Sequence, residues 1–139
     1  MKQHSTNYYQ TLITVAEDTR AVKGIVPPRR SGSSTVARMQ FDMINDNPFI
    51  HTADDIIFNI HALRTGLILP QLSDARLLFF SKGQPCLRTS ALAKRYGWGI
   101  YADQTGKIKL VDMASLEYSA MLHDVRITKI GAMRSNKRK

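Results

Sequence analysis

A chain of 139 residues with 43% hydrophobic and 22% charged side chains has the make-up of one globular domain, which excludes a disordered or fibrous polymer. No window comes near the roughly 20 apolar residues of a membrane helix, the opening MKQHSTNYYQ lacks the apolar core of a signal peptide, and Cys86, the single cysteine, excludes an internal disulfide, so a cytoplasmic location is expected. The net charge of +9 predicts an anionic partner, nucleic acid or a phosphorylated ligand, and it is unevenly spread: residues 31–78 balance to −2, whereas 79–110 and 124–139 each balance to +5.

In chain order, YYQTLITVAED mixes aromatic and β-branched residues ahead of its acids, so Tyr8 to Ala16 is predicted as a strand. TRAVKGIVPPRRSGSS, with Gly24, Pro27 and Pro28 and a Ser/Gly run, predicts a loop over residues 19–33. Ser34 or Thr35 then caps a helix whose apolar face is Val36, Met39, Met43 and Ile44, and Pro48 ends it. A second helix starts at Thr52, which approximates a capping box with Asp55. Ile56, Ile57, Ile60 and Leu63 give its buried face and Gly66 its C-cap, and the two helices are expected to form a hairpin. After LILP as a connector, SDARLLFFSKG predicts a third helix with Ser73 as N-cap, Leu77 and Phe80 inward and Gly83 at its end. A short fourth helix runs from Thr89 or Ser90 through ALAKRY to Gly97. GWGIYADQTGKIKLVDM carries the clearest β signal, two β-rich runs around Asp103-Gln104-Thr105-Gly106 that make a hairpin. SLEYSAMLHD returns to helical spacing, anchored by Leu116 and Met121 or Leu122, and VRITKIGAM supplies a last strand through Val125, Ile127 and Ile130. Residues 1–6 are expected to be flexible, and RSNKRK predicts a solvated basic tail over 134–139. Together these elements predict a single α+β domain, with an antiparallel sheet of about four strands and helices packed on one side.

FFSKGQPCLRTSALAKRYGWG, residues 79–99, concentrates the candidate chemistry, holding the only Cys, the only Trp and four cations with no acid. Lys82, Arg88, Ser90, Lys94, Arg95, Trp98 and Tyr101 are the candidate ligand-binding residues, because cations neutralise phosphates and aromatic faces stack on bases. The rival reading makes Tyr96 and Trp98 core residues at a helix-to-strand junction and Lys94 and Arg95 a solvated helix face. Cys86 is the weak catalytic candidate: it precedes a predicted helix start, where the dipole and Lys82 or Arg88 would favour a thiolate. Against that role, the phosphate-wrapping loop of cysteine phosphatases needs a wider Cys-to-Arg spacing than the single residue between Cys86 and Arg88, and a small buried residue is the alternative. The four histidines lack metal-ligand spacing, since Asp54 and Asp55 beside His51 already serve a helix start. No GxGxxG, Walker, HExxH or GxSxG pattern occurs, so no metal and no cofactor are expected. The reading is of a non-enzymatic binding domain; a small enzyme using Cys86 with Arg88 to position an anion, and a homo-oligomeric subunit, are its rivals.

FFSKGQPCLRTSALAKRYGWGIYAD with the following GKI, together with TLITVAED, VPP, TVARMQ, NPF, TADDIIF and AMRS, resembles a family of small uncharacterised bacterial proteins, the domain of unknown function numbered six-one-five-seven. The resemblance runs from about Tyr8 to Ser135 and implies one domain, with no activity, cofactor or catalytic residue to carry over. The family's usual string has Pro where Ala91 stands, which agrees with Ser90 as an N-cap. His is common where Tyr101 stands, a departure that weakens any catalytic role for a His at that position.

Overall fold

The computed structural model describes residues 2–30 and 34–136. Four strands form one sheet in the order β3-β2-β1-β4: β1 (Thr11–Thr14), β2 (Trp98–Ala102), β3 (Ile108–Asp112) and β4 (Thr128–Gly131). The β2–β3 hairpin turns where its sequence indicates, with Asp103 Oδ1 accepting from the N–H groups of Thr105 and Lys107, and Gly106 in the left-handed region at φ 84°. β1 lies antiparallel to β2 but parallel to β4, so the sheet is mixed and the expectation of an antiparallel sheet is corrected. The connection is the cause. A helix, α5 (Leu116–His123), separates β3 from β4, and such a crossover returns the chain in the direction it left, which a tight hairpin cannot do.

Helices also cover both faces rather than one. Leu110, Ile100, Ile13 and Ile130 form one register row across the sheet, and with Ile108 and Ala102 they meet α1 (Val36–Asn45), α2 (Ala53–Thr65) and α4 (Ala91–Lys94) through Phe41, Ile44, Ile56, Ile60 and Leu92. On the other face Leu12 and Val111 pack with Ile127 and with Tyr118 of α5. Tyr118 is therefore the buried α5 anchor and Met121, as expected, packs beside it, while Leu116, the other expected anchor, is 90% exposed. The Tyr118 hydroxyl accepts the Val15 N–H at 3.1 Å, and burial raises its pKa above the ordinary tyrosine range.

Thr35 caps α1 by accepting the Arg38 N–H, and Thr52 and Asp55 cap α2 reciprocally, with Gly66 left-handed at its end. Leu63 is exposed instead of buried, because α2 turns Phe58 and Ala62 toward Phe80 in a third, smaller apolar cluster. α3 (Leu69–Phe79) begins before Ser73. Pro70 fits its first turn, where an N–H is dispensable, and Gln71 Oε1 accepts the Ile68 N–H. Leu77 is half exposed, whereas Phe80 is buried as expected.

The N-terminal segment, expected to be loose, is tied to α2 and α3. His4 N–H donates to Phe80 O, and Asp54 accepts from Ser5 Oγ, Thr6 N–H and Thr6 Oγ1 at 2.6–2.7 Å. Within the loop after β1, Pro27 is fully buried and Gly24 N–H donates to Asp112 at 2.7 Å. At the other end Asp18 accepts the N–H groups of Ser135 and Asn136, and the Asn136 N–H is the chief cause of its lowered pKa. Residues 31–33 of the expected loop and 137–139 of the expected tail lie outside the described residues.

Candidate functional site

The seven candidate ligand residues do not converge. Lys82 is exposed in the turn after α3, and Lys94 and Arg95 end α4, where the residues between them and the sheet, Leu92 and Ala93, are buried. Ser90 is 95% withdrawn from solvent as the α4 N-cap, accepting the Leu92 N–H and donating to Gln40 Oε1 at 2.5 Å, so its hydroxyl is occupied by structure. Trp98 donates its ring N–H to Ile25 O at 2.9 Å and packs on Phe41 with ring centroids 5.4 Å apart. A Cβ on Gly24 would stand 2.7 Å from the Trp98 ring, which explains why glycine is placed there. Tyr101 faces the α5 side and meets Phe49 edge-on, whereas Trp98 faces the α1 side. Two rings on opposite faces of one strand cannot form a shared stacking platform.

Arg88 is placed differently. β4 is a sheet edge, and Arg88 lies alongside it: its carbonyl accepts the Met133 N–H at 2.8 Å and its Nε donates to Gly131 O at 2.7 Å. The guanidinium is thus anchored at one nitrogen, while Nη1 and Nη2 have no partner among the described residues. It borders a groove of about 720 Å³ formed by Thr14, Val15 and Glu17 after β1 and by Gly131 to Asn136 after β4. The groove lies at the carboxyl ends of the parallel pair, and Arg134 bridges it to Glu17 at 2.7 Å. Its polarity is mixed: one anchored cation with free donors, one paired cation and one carboxylate.

Cys86 borders a second groove of about 420 Å³ between α1, α2 and the turn before α4. Arg88 does not line it, so the expected pairing of the thiol with Arg88 is not formed there. Cys86 Sγ lies 3.4 Å from the Tyr8 hydroxyl, and that hydrogen bond, reinforced by burial, raises the Tyr8 pKa. His61 shares the groove with Cys86, its ring 4.5 Å from that of Phe79. Gln40, Arg64, Thr65 and Thr89 contribute further polar side chains.

A family model described as a family of unknown function (DUF6157) matches residues 3–138. The chain belongs to this family. No curated protein and no solved structure matches it. No group of three His, Cys, Asp or Glu suited to a metal ion occurs among the described residues, and no helix there is long and apolar enough to cross a membrane. Two residues that sequence reasoning passed over deserve naming. Gln40 stands four residues after Val36 and four before Ile44, a polar side chain inside an apolar helical stripe, which is a readable signal. Glu17 has none, because its place beside Arg134 depends on a contact across most of the chain.

Proposed function

We propose that this protein is a binding domain for a small anionic ligand, whose phosphate or carboxylate is held by Arg88 in the groove at the ends of β1 and β4. The observation that carries the reading is the guanidinium fixed through Nε on Gly131 O with two unpartnered nitrogens beside the groove, since a pre-ordered fork loses little freedom on meeting an oxyanion. The carboxyl ends of parallel strands are also where open sheets commonly take ligands. A stacked nucleic acid is the less favoured partner, because Trp98 and Tyr101 occupy opposite faces.

Calorimetric titration with pyrophosphate, and separately with a short single-stranded DNA, tests the reading. Pyrophosphate is expected to bind with an affinity that falls with salt, and Arg88→Gln, which keeps a donor for Gly131 O while removing the charge, to weaken it about tenfold or more. Absence of binding, or binding that Arg88→Gln leaves unchanged, overturns it; tighter binding of DNA moves the reading to a nucleic-acid partner.

A second reading is self-association through α3. Leu69 and Leu78 of α3, with Ile68 just before it and Leu63 near the end of α2, are exposed, Leu69 at 83%, and uncovered apolar side chains on a small domain suit an interaction surface. Arg64 and Asp74 lie on the same stretch with opposite signs, so two copies would not repel. A monomeric mass by light scattering across the micromolar range removes it.

A further inference from the structure

The groove at the ends of β1 and β4 holds a second guanidinium beside that of Arg88. Arg134 Nη1 lies 2.7 Å from Glu17 Oε1, but the Glu17 side chain is 54% exposed, and an ion pair with so wet a partner contributes little. Asp18, the other acid near Arg134, is already engaged by the N–H groups of Ser135 and Asn136. Those two bonds tie the backbone after Arg134 to the end of β1, while the Met133 N–H before it donates to Arg88 O at 2.8 Å. The backbone around Arg134 is thus pinned on both sides. Among the described residues its side chain is held only by the Glu17 carboxylate and by a 3.3 Å bond from Nε to Asn136 O. Arg88 and Arg134 also spring from segments that are hydrogen-bonded to each other, and both border the groove. Thr14 borders it from β1, opposite Gly131 in the register, and its hydroxyl has no partner among the described residues.

We infer that the groove takes a phosphate monoester, its phosphate held between the Arg88 and Arg134 guanidinium groups, with Arg134 leaving Glu17 as the ligand enters. The inference rests on the Arg88 reading and narrows its ligand to one chemical class. A phosphate monoester presents three acceptor oxygens and about two negative charges at neutral pH, enough for two guanidinium forks and the Thr14 hydroxyl. A carboxylate has two oxygens and one charge, which Arg88 alone satisfies, so it gives Arg134 little reason to part from Glu17. In the empty groove Glu17 supplies the negative charge without which two neighbouring cations would repel. Val15 and Met133, on the same walls, offer apolar contact for the body of the ester.

Phenyl phosphate is the probe and benzoate, the same ring with a carboxylate, its control, both titrated calorimetrically into the full chain at about pH 7.5, where the phosphate is doubly ionised. Phenyl phosphate is expected to bind about tenfold more tightly than benzoate, and Arg134→Gln to remove that advantage while leaving benzoate unchanged. Glu17→Gln, which releases Arg134, is expected to tighten phenyl phosphate. The opposite signs separate ligand contact from a structural tie, since a merely structural Glu17–Arg134 bridge would make both variants weaken binding alike. Binding that depends on Arg88 but ignores Arg134→Gln, equal affinity for the two probes, or loss of affinity in Glu17→Gln would each overturn the inference and leave the Arg88 reading standing. Absence of binding by either probe, or affinity unaltered by Arg88→Gln, overturns both. Should a variant fail to fold, the comparison of the two probes on the unaltered protein decides the matter.

Discussion

Asp54 shows how one carboxylate sets the position of a whole segment. It is buried in the first turn of α2, where the helix dipole favours a negative charge, and it gathers three hydrogen bonds from Ser5 and Thr6 while its own N–H donates to Asn7 Oδ1. Thr6 is itself buried, so truncating the carboxylate leaves a backbone N–H and a hydroxyl without partners in a dry place. Asp54→Ala is expected to destabilise the protein by about 3 kcal/mol, the upper end for hydrogen bonds to a charged group, and to open residues 2–8 to proteolysis. Urea denaturation with limited digestion checks both; a loss under about 0.5 kcal/mol, within the range of ordinary surface substitutions, would show that the segment is held by other contacts. The sequence carried half of this. TADD announced a helix start, but nothing in the first residues of the chain says that Ser5 and Thr6 will reach a carboxylate almost fifty positions away.

At the scale of elements, what could be read locally and what could not separate cleanly. The α2 caps, the β2–β3 turn and Ser90 at the head of α4 are set by residues within a few positions of one another, and these stand where the sequence puts them. The parallel β1–β4 pairing and the burial of Tyr118 in place of Leu116 depend on partners far along the chain, for which helical spacing gives no warning. The split of the candidate site is legible in the sequence, since Trp98 and Tyr101 are three apart on one strand and so must face opposite ways. α3 has the opposite character: none of its residues is fully buried, and its outer leucines have no cover among the described residues. If two copies supply that cover, Leu78→Asp should give a monomer of unchanged thermal stability at low concentration, read as a halved mass by light scattering. A dimer that survives Leu78→Asp would place the interface elsewhere.

For the molecule as a whole, acid should be the sensitive axis, and the sign follows from its carboxylates. Burial works against ionised Asp55, yet the Thr52 N–H and the Arg76 guanidinium at 2.9 Å hold its pKa below the ordinary value. The Asn136 N–H does the same for Asp18, and Arg126 takes Asp124 from 3.8 down to about 2. A carboxyl whose pKa is lower in the folded state than in the unfolded one contributes stability that is complete above the unfolded value and disappears as pH falls through the folded value. The Asp124 contribution therefore drains away between about pH 4 and pH 2, and it is small because its partner Arg126 is exposed to water. Asp55 is half-shielded and caps α2, so its share should dominate. Protonation also raises a net charge that is already +9, adding self-repulsion in the same direction. The urea midpoint is expected to fall continuously as the pH drops through the carboxylate range, and Asp55→Asn, less stable at neutral pH, should fall less steeply and converge on the unaltered protein at the acid end. A midpoint that stays level to pH 2.5, or an Asp55→Asn curve parallel to that of the unaltered protein, would show that the Thr52 and Arg76 contacts do not hold the helix start.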